Sequence, residues 1–143
     1  MKRSARNAAM NLLSRREHSA KELFNKLRQR AFSEKEIETA LKQLQLDNLL
    51  NDERFAESYI HQRIQKGFGP MRILQELSQR GISQETIQTQ MDYQDEYWSK
   101  LMQHQRSKKY GTKIPEDYGE RVKQARFLQN RGFSTESVMR LFR

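Results

Sequence analysis

Three histidines, no cysteines and one glycine-rich corner are the parts of this sequence most open to a chemical reading. His18, His61 and His104 are scattered, and none has a partner at metal-ligand spacing. The absence of cysteine removes thiolate ligands, thiol nucleophiles and disulfides, and it fits a reducing, cytoplasmic setting. Gly67-Phe68-Gly69-Pro70 has the glycine density of a phosphate loop, but it lacks the preceding strand and the Gly-Lys-Ser/Thr ending. Ser19, Ser33, Ser83 and Ser134 each precede a helical pattern and read as caps, and no Ser-His-Asp arrangement can be argued. The sequence nominates no catalytic residue, no metal site and no cofactor, so the protein reads as a non-enzyme.

What remains is charge. The chain of 143 residues carries 27 Lys and Arg against 18 Asp and Glu, a formal net charge of +9. Such a balance favours a polyanionic partner, although solubility alone would also account for it. The excess is uneven: Met1 to Leu50 has eleven cations to six acids, Asn51 to Tyr93 five to six, and Gln94 to Arg143 eleven to six. Three groups stand out as contact candidates. Arg63 and Lys66 precede the glycine corner and Arg72 follows it. Lys108 and Lys109 adjoin Tyr110 at a helix end, where cations are also favoured for local reasons. Arg121, Lys123, Arg126 and Arg131 run along one helix. Contacts from these residues to phosphate would weaken steeply with salt. No apolar run approaches a membrane span, and the start MKRSARNAAMNLL lacks the long apolar core and cleavage site of a signal peptide.

The elements that position these residues read as helices throughout. Ala5, Ala8, Ala9, Leu12 and Leu13 mark a first helix; Ser19 with Glu22 forms a capping box before a second; Ser33 with Glu36 repeats the signal before a third. Leu49 and Leu50 should tuck back onto the core. A fourth helix, begun at Asn51 or Asp52, should stop at Lys66, because Gly67 can adopt the left-handed conformation at a helix end. Pro70 suits the first turn of the next helix, whose apolar face is Ile73, Leu74 and Leu77. A short sixth helix carries Ile87 and Met91. A seventh carries Tyr97, Trp98, Leu101 and Met102. An eighth has Val122, Ala125 and Leu128 inside, and a ninth holds Val138, Leu141 and Phe142. Trp98 and the tyrosines suit packing better than base stacking. No strand pattern of useful length occurs.

The chain also repeats. Leu27, Arg30, Ala31, Phe32, Ser33 and Ile37 match Leu77, Arg80, Gly81, Ile82, Ser83 and Ile87, and again Leu128, Arg131, Gly132, Phe133, Ser134 and Val138. The expected fold class is therefore all-α: three tandem three-helix repeats, over residues 1–50, 51–93 and 94–143, forming an elongated, slightly curved body.

The middle repeat carries a recognisable set of residues: DERFA from Asp52, then Arg63, KGFGPMRI from Lys66 to Ile73, Glu76-Leu77 and Gly81-Ile82. With ERVKQARFLQNRGFS in the third repeat and, more weakly, LLSRREHSAKEL in the first, this resembles the RecX family of RecA regulators over nearly the whole chain. The resemblance implies a monomer that binds in the groove of a RecA–DNA filament, with DNA a secondary partner. It implies inhibition of ATP hydrolysis, strand exchange and co-protease function, with no catalytic residue. Gly67, Gly69, Pro70 and Gly81 then shape the helix junctions, while Arg63, Lys66, Arg72, Lys108, Lys109, Arg121, Lys123, Arg126 and Arg131 are candidates to touch RecA or DNA. An autonomous DNA-binding module acting through phosphate contacts is the alternative.

Overall fold

A computed structural model describes residues 3–143, and every regular element among them is a helix. In order these are α1 (Ala5–Leu13), α2 (Ala20–Gln29), α3 (Glu34–Leu46), α4 (Asp52–Gln65), α5 (Pro70–Gln79), α6 (Gln84–Gln90), α7 (Asp95–Tyr110), α8 (Tyr118–Arg131) and α9 (Thr135–Leu141). The fold is all-α with three three-helix repeats. By internal packing the chain forms two compact units, Met1–Tyr59 with Leu77–Gln90 and Ile60–Glu76 with Met91–Arg143, hereafter units 1 and 2.

Unit 1 is built on a buried apolar cluster. Alanines at positions 8 and 9 let α1 lie close to its neighbours, and Leu12, Leu23, Leu27, Ile37, Leu41, Leu44 and Leu50 fill the space between α1, α2 and α3. The helix starts are chemically specified. The Ser19 hydroxyl accepts from the Glu22 amide while Glu22 accepts from the Ser19 amide, completing the capping box. Ser4 and Ser33 cap α1 and α3, and the Asn51 side chain accepts from the Arg54 amide to start α4. Asn48, at φ +57°, closes α3 in the left-handed conformation; Leu50 then turns inward. Leu49 does not follow it as expected, being 42% exposed. The Arg54 guanidinium holds this turn by donating to the carbonyls of Asn48 and Leu49 and to Glu17 Oε1 at 2.7 Å. Asp52 Oδ1 accepts from the Ala20 amide at 2.8 Å, tying the second repeat to the first. Burial pushes the Asp52 carboxyl above its ordinary value, despite that hydrogen bond, and nearby Glu22 adds to the push.

Unit 2 packs Met102, Leu128, Phe133 and Val138 together, with Leu101, Ala125, Phe127, Leu141 and Phe142 around them. Trp98 is buried against Tyr93 and Tyr97, both edge-on to it, so it packs rather than presenting a face. Two sequence expectations change here. Leu74 is exposed, leaving Ile73 as the buried anchor of this part of α5. Val122 is only half-buried, whereas Gln124 is buried with Arg106. Arg106 donates to the carbonyls of Thr112 and Lys113 and faces Gln124 Oε1, so the α7–α8 loop is tied down by a guanidinium inside the unit.

A candidate polyanion-binding surface on unit 2

The glycine corner follows from helix ends that must be closed. Gly67, at φ +85°, donates to the Ile64 carbonyl and turns the chain out of α4. A Cβ at Gly67 would also overlap the Gln105 carboxamide of α7, so two constraints meet there. Gly69 has a different reason: its Cβ would lie 2.6 Å from the Gly132 carbonyl. That closeness lets the Gly69 amide donate to the Arg131 carbonyl at 2.8 Å and the Met71 amide to the Gly132 carbonyl at 2.9 Å. Amides that open α5 thus satisfy carbonyls that end α8, and the two helix dipoles meet head to tail. Pro70, at the first position of α5, has no N–H to satisfy. With Gly69 and Met71 engaged in this way, the corner does not hold the amides of a phosphate loop open.

Phe68, between the two glycines, collects cations. The guanidinium carbons of Arg63, Arg72 and Arg131 lie 3.8, 4.3 and 4.7 Å from its ring centroid. The negative ring face offsets part of the repulsion among three like charges. Arg63 also pairs with Glu76 at 3.0 Å. Arg72 donates to the Asn130 carbonyl and Arg131 to the Lys66 carbonyl.

Beside this cluster runs a groove of about 480 Å³, lined by Gln65, Lys66, Gln105, Lys108, Lys109, Phe127 and Arg131. Its four charged residues are all cations. Lys109 Nζ stands over the Phe127 ring at 4.1 Å, Arg131 at 5.5 Å, and Tyr110 meets that ring edge-on. Six of the predicted contact residues thus belong to one surface: Arg63, Arg72 and Arg131 around Phe68, and Lys66, Lys108 and Lys109 with Arg131 in the groove.

The others lie elsewhere. Arg121 is half-buried, its guanidinium donating to the carbonyls of Pro115 at 2.6 Å and Phe142 at 3.1 Å, so its donors serve the fold. Lys123 and Arg126 are exposed on α8 but do not line the groove. Gly81 belongs to unit 1, at φ +79°, where a Cβ would come within 2.8 Å of Lys21 Cβ. Phe68, Phe127 and Gln105 were not anticipated from sequence. For Phe68 a signal existed, since it stands five residues after Arg63 and four before Arg72.

Among the described residues, no group of three or more His, Asp or Glu is placed to hold a metal ion, and no helix is long and apolar enough to cross a membrane.

Comparison with known proteins matches all three repeats. Family models for the first, second and third three-helix domains of RecX match residues 5–44, 51–90 and 95–142. The regulatory protein RecX of Pseudomonas fluorescens (strain SBW25) is 42% identical over 138 residues, 96% of this chain and 89% of that one. That of Halorhodospira halophila (strain DSM 244 / SL1) is 37% identical over 94% of this chain and 84% of its own. The crystal structure of RecX from Lactobacillus salivarius superposes with a TM-score of 0.78 at 26% identity, over 94% of this chain and 89% of that one. A second crystal structure, of a regulatory protein RecX, gives 0.81 at 26% identity over 96% and 69%.

Proposed function

This chain belongs to the RecX family of regulatory proteins, and from that premise we propose that it regulates the RecA recombinase without itself being an enzyme. It binds in the groove of the RecA–DNA filament as a monomer in the cytoplasm. There it acts mainly as an inhibitor, opposing ATP turnover, strand exchange and co-protease function. The observation that carries this reading is the match of all three three-helix domains along one chain. The cation cluster of unit 2 supports it by offering a surface suited to a partner that carries a polyanion.

RecA ATPase on single-stranded DNA tests the reading. Added protein should lower the rate and shorten filaments. Unchanged hydrolysis and unchanged filament length at saturating protein would remove it. The all-cationic groove also favours a second reading, an autonomous DNA-binding module acting mainly through phosphate contacts. Co-sedimentation separates the two: tighter binding to RecA-coated than to bare DNA across a salt series supports regulation through the filament, and equal affinity supports the autonomous module.

A further inference from the structure

Unit 2 has a second concavity, opposite in character to its basic groove. It encloses about 340 Å³ between one face of α7 and the start of α9. Asp95, Ser99 and Gln103 follow one another four residues apart and so share that face of α7. Met102, buried, and Leu141, half-buried, supply an apolar wall. Asp95 is exposed and forms no ion pair among the described residues. The other charges of the lining, Glu136 and Arg140, already pair with each other at 2.7 Å, which leaves the Asp95 carboxylate uncompensated.

The neutral polar groups turn acceptors toward this space. Gln103 Nε2 donates to Ser99 Oγ at 3.3 Å, so the Gln103 Oε1 lone pairs remain available. Ser134 Oγ accepts from the Ser137 amide and donates to Ser137 Oγ at 2.8 Å, whose second lone pair is left to accept. An occupant must therefore be cationic, must carry several donors to reach oxygens from both helices, and must tolerate an apolar wall. A guanidinium meets all three conditions, because its planar fork carries many donors and its faces are weakly hydrated; an ammonium is a compact, strongly hydrated point charge. Nucleic acid is disfavoured here, since Met91 to Ser99 contains Asp92, Asp95 and Glu96 but no Lys or Arg.

We propose that this pocket receives an arginine side chain presented by a protein partner. Naming that partner rests on the regulatory reading above: the arginine then belongs to RecA, and α7 and α9 make a contact with protein rather than with polyanion.

NMR titration of the isotope-labelled protein with N-acetyl-arginine amide tests the pocket, with the citrulline analogue as neutral isostere. The arginine probe should shift the amides of Asp95, Ser99, Gln103 and Ser137 saturably, and the citrulline probe should bind at least about tenfold more weakly. Asp95→Asn should weaken the arginine probe at least about fivefold. Asp92→Asn, the same charge change outside the lining, should leave it within about twofold. Co-sedimentation then reads the partner: Asp95→Asn should bind RecA-coated DNA at least about threefold more weakly and bare DNA as the parent does. Equal binding of the arginine and citrulline probes would overturn the inference, as would shifts confined to other surfaces, or a folded Asp95→Asn variant that binds the arginine probe unchanged. Tighter binding of N-acetyl-lysine amide would overturn the choice of arginine. Probe binding as expected, with RecA-coated DNA bound equally by Asp95→Asn and the parent, would overturn the assignment of the arginine to RecA. Probe binding as expected in a parent that neither binds nor inhibits RecA filaments removes the regulatory reading and upholds the pocket.

Discussion

At the scale of single residues, Ala31, Gly81 and Gly132 hold one position in three repeats. All three are left-handed, at φ +69°, +79° and +104°. Sequence matching aligned them; the structure explains why only two are glycine. A Cβ at Gly81 would come 2.8 Å from Lys21 Cβ, and one at Gly132 would come 2.7 Å from the Arg72 amide nitrogen, whereas Ala31 is exposed. Each glycine lies where the helix of the preceding repeat passes, and the first repeat has none before it. Ala31→Gly should therefore raise stability by about 0.5–1 kcal/mol, the left-handed penalty relieved less the added unfolded-state entropy. Gly132→Ala should lower it by at least about 2 kcal/mol, because strain and backbone overlap coincide. Urea unfolding of both variants checks the pair; a loss at Ala31→Gly would contradict the account. Phe68 shows where legibility stops at this scale. Arg63 and Arg72 are its near neighbours in sequence, but Arg131 reaches its ring only through the fold.

At the scale of elements, caps and glycine ends were readable because they depend on contacts three or four residues apart. Ser19, Ser33, Ser83 and Ser134 accept from the amides of Glu22, Glu36, Thr86 and Ser137 respectively. Helix faces were less readable: periodicity does not distinguish Leu74, which is exposed, from Ile73, which is buried on the same helix, and it does not foresee Arg106 and Gln124 inside unit 2. The junction of α1 and α2 hides another polar group. His18 is buried, with Nδ1 at 3.1 Å from the Arg16 carbonyl and Nε2 at 2.8 Å from Lys26 Nζ. These partners place the proton on Nδ1 and leave Nε2 to accept from the ammonium. Burial lowers the His18 pKa from its ordinary 6.5. The Arg16 carbonyl and Glu22 oppose this, while the Arg16 and Lys26 charges reinforce it. Burial likewise lowers Lys26, aided by Arg16, Arg30 and Arg15 and opposed by Glu22. For Glu22, burial acts upward but is outweighed by the hydrogen bonds from Arg16 and the Ser19 amide, so its pKa is lowered. A depressed histidine contributes its stability in full above 6.5 and loses it as pH falls through the folded value. Stability should therefore drop as pH falls below 6.5, by no more than about 1.4 kcal/mol per pH unit. His18→Gln should flatten that slope. A slope unchanged in this variant would place the proton uptake elsewhere.

At the scale of the whole molecule, charge was legible in amount but not in grouping. Summed along the sequence, the middle repeat looks neutral, which suggested two basic ends. In the folded chain Arg63, Lys66 and Arg72 belong to unit 2, which carries fourteen Lys or Arg against eight Asp or Glu; unit 1 carries thirteen against ten. The repeat boundary and the packing boundary differ, because α4 and α5 each contribute to both units. This gives the charge-reversal experiment its design. Lys108→Glu with Lys109→Glu places two carboxylates in the groove beside Lys66 and Arg131. Lys123→Glu with Arg126→Glu makes the same change in net charge on an exposed stretch of α8 outside that lining. If only total charge steers the protein to a polyanion, the two variants should lose RecA inhibition equally, and both losses should fade together as salt rises. If the groove makes the contact, the first pair should raise the concentration needed for half-inhibition of RecA ATPase at least about tenfold, and the second no more than about twofold. Reversing Lys35 and Lys42 in unit 1 supplies the baseline for net charge alone. A larger loss from the Lys123 and Arg126 pair would move the interface onto the outer face of α8.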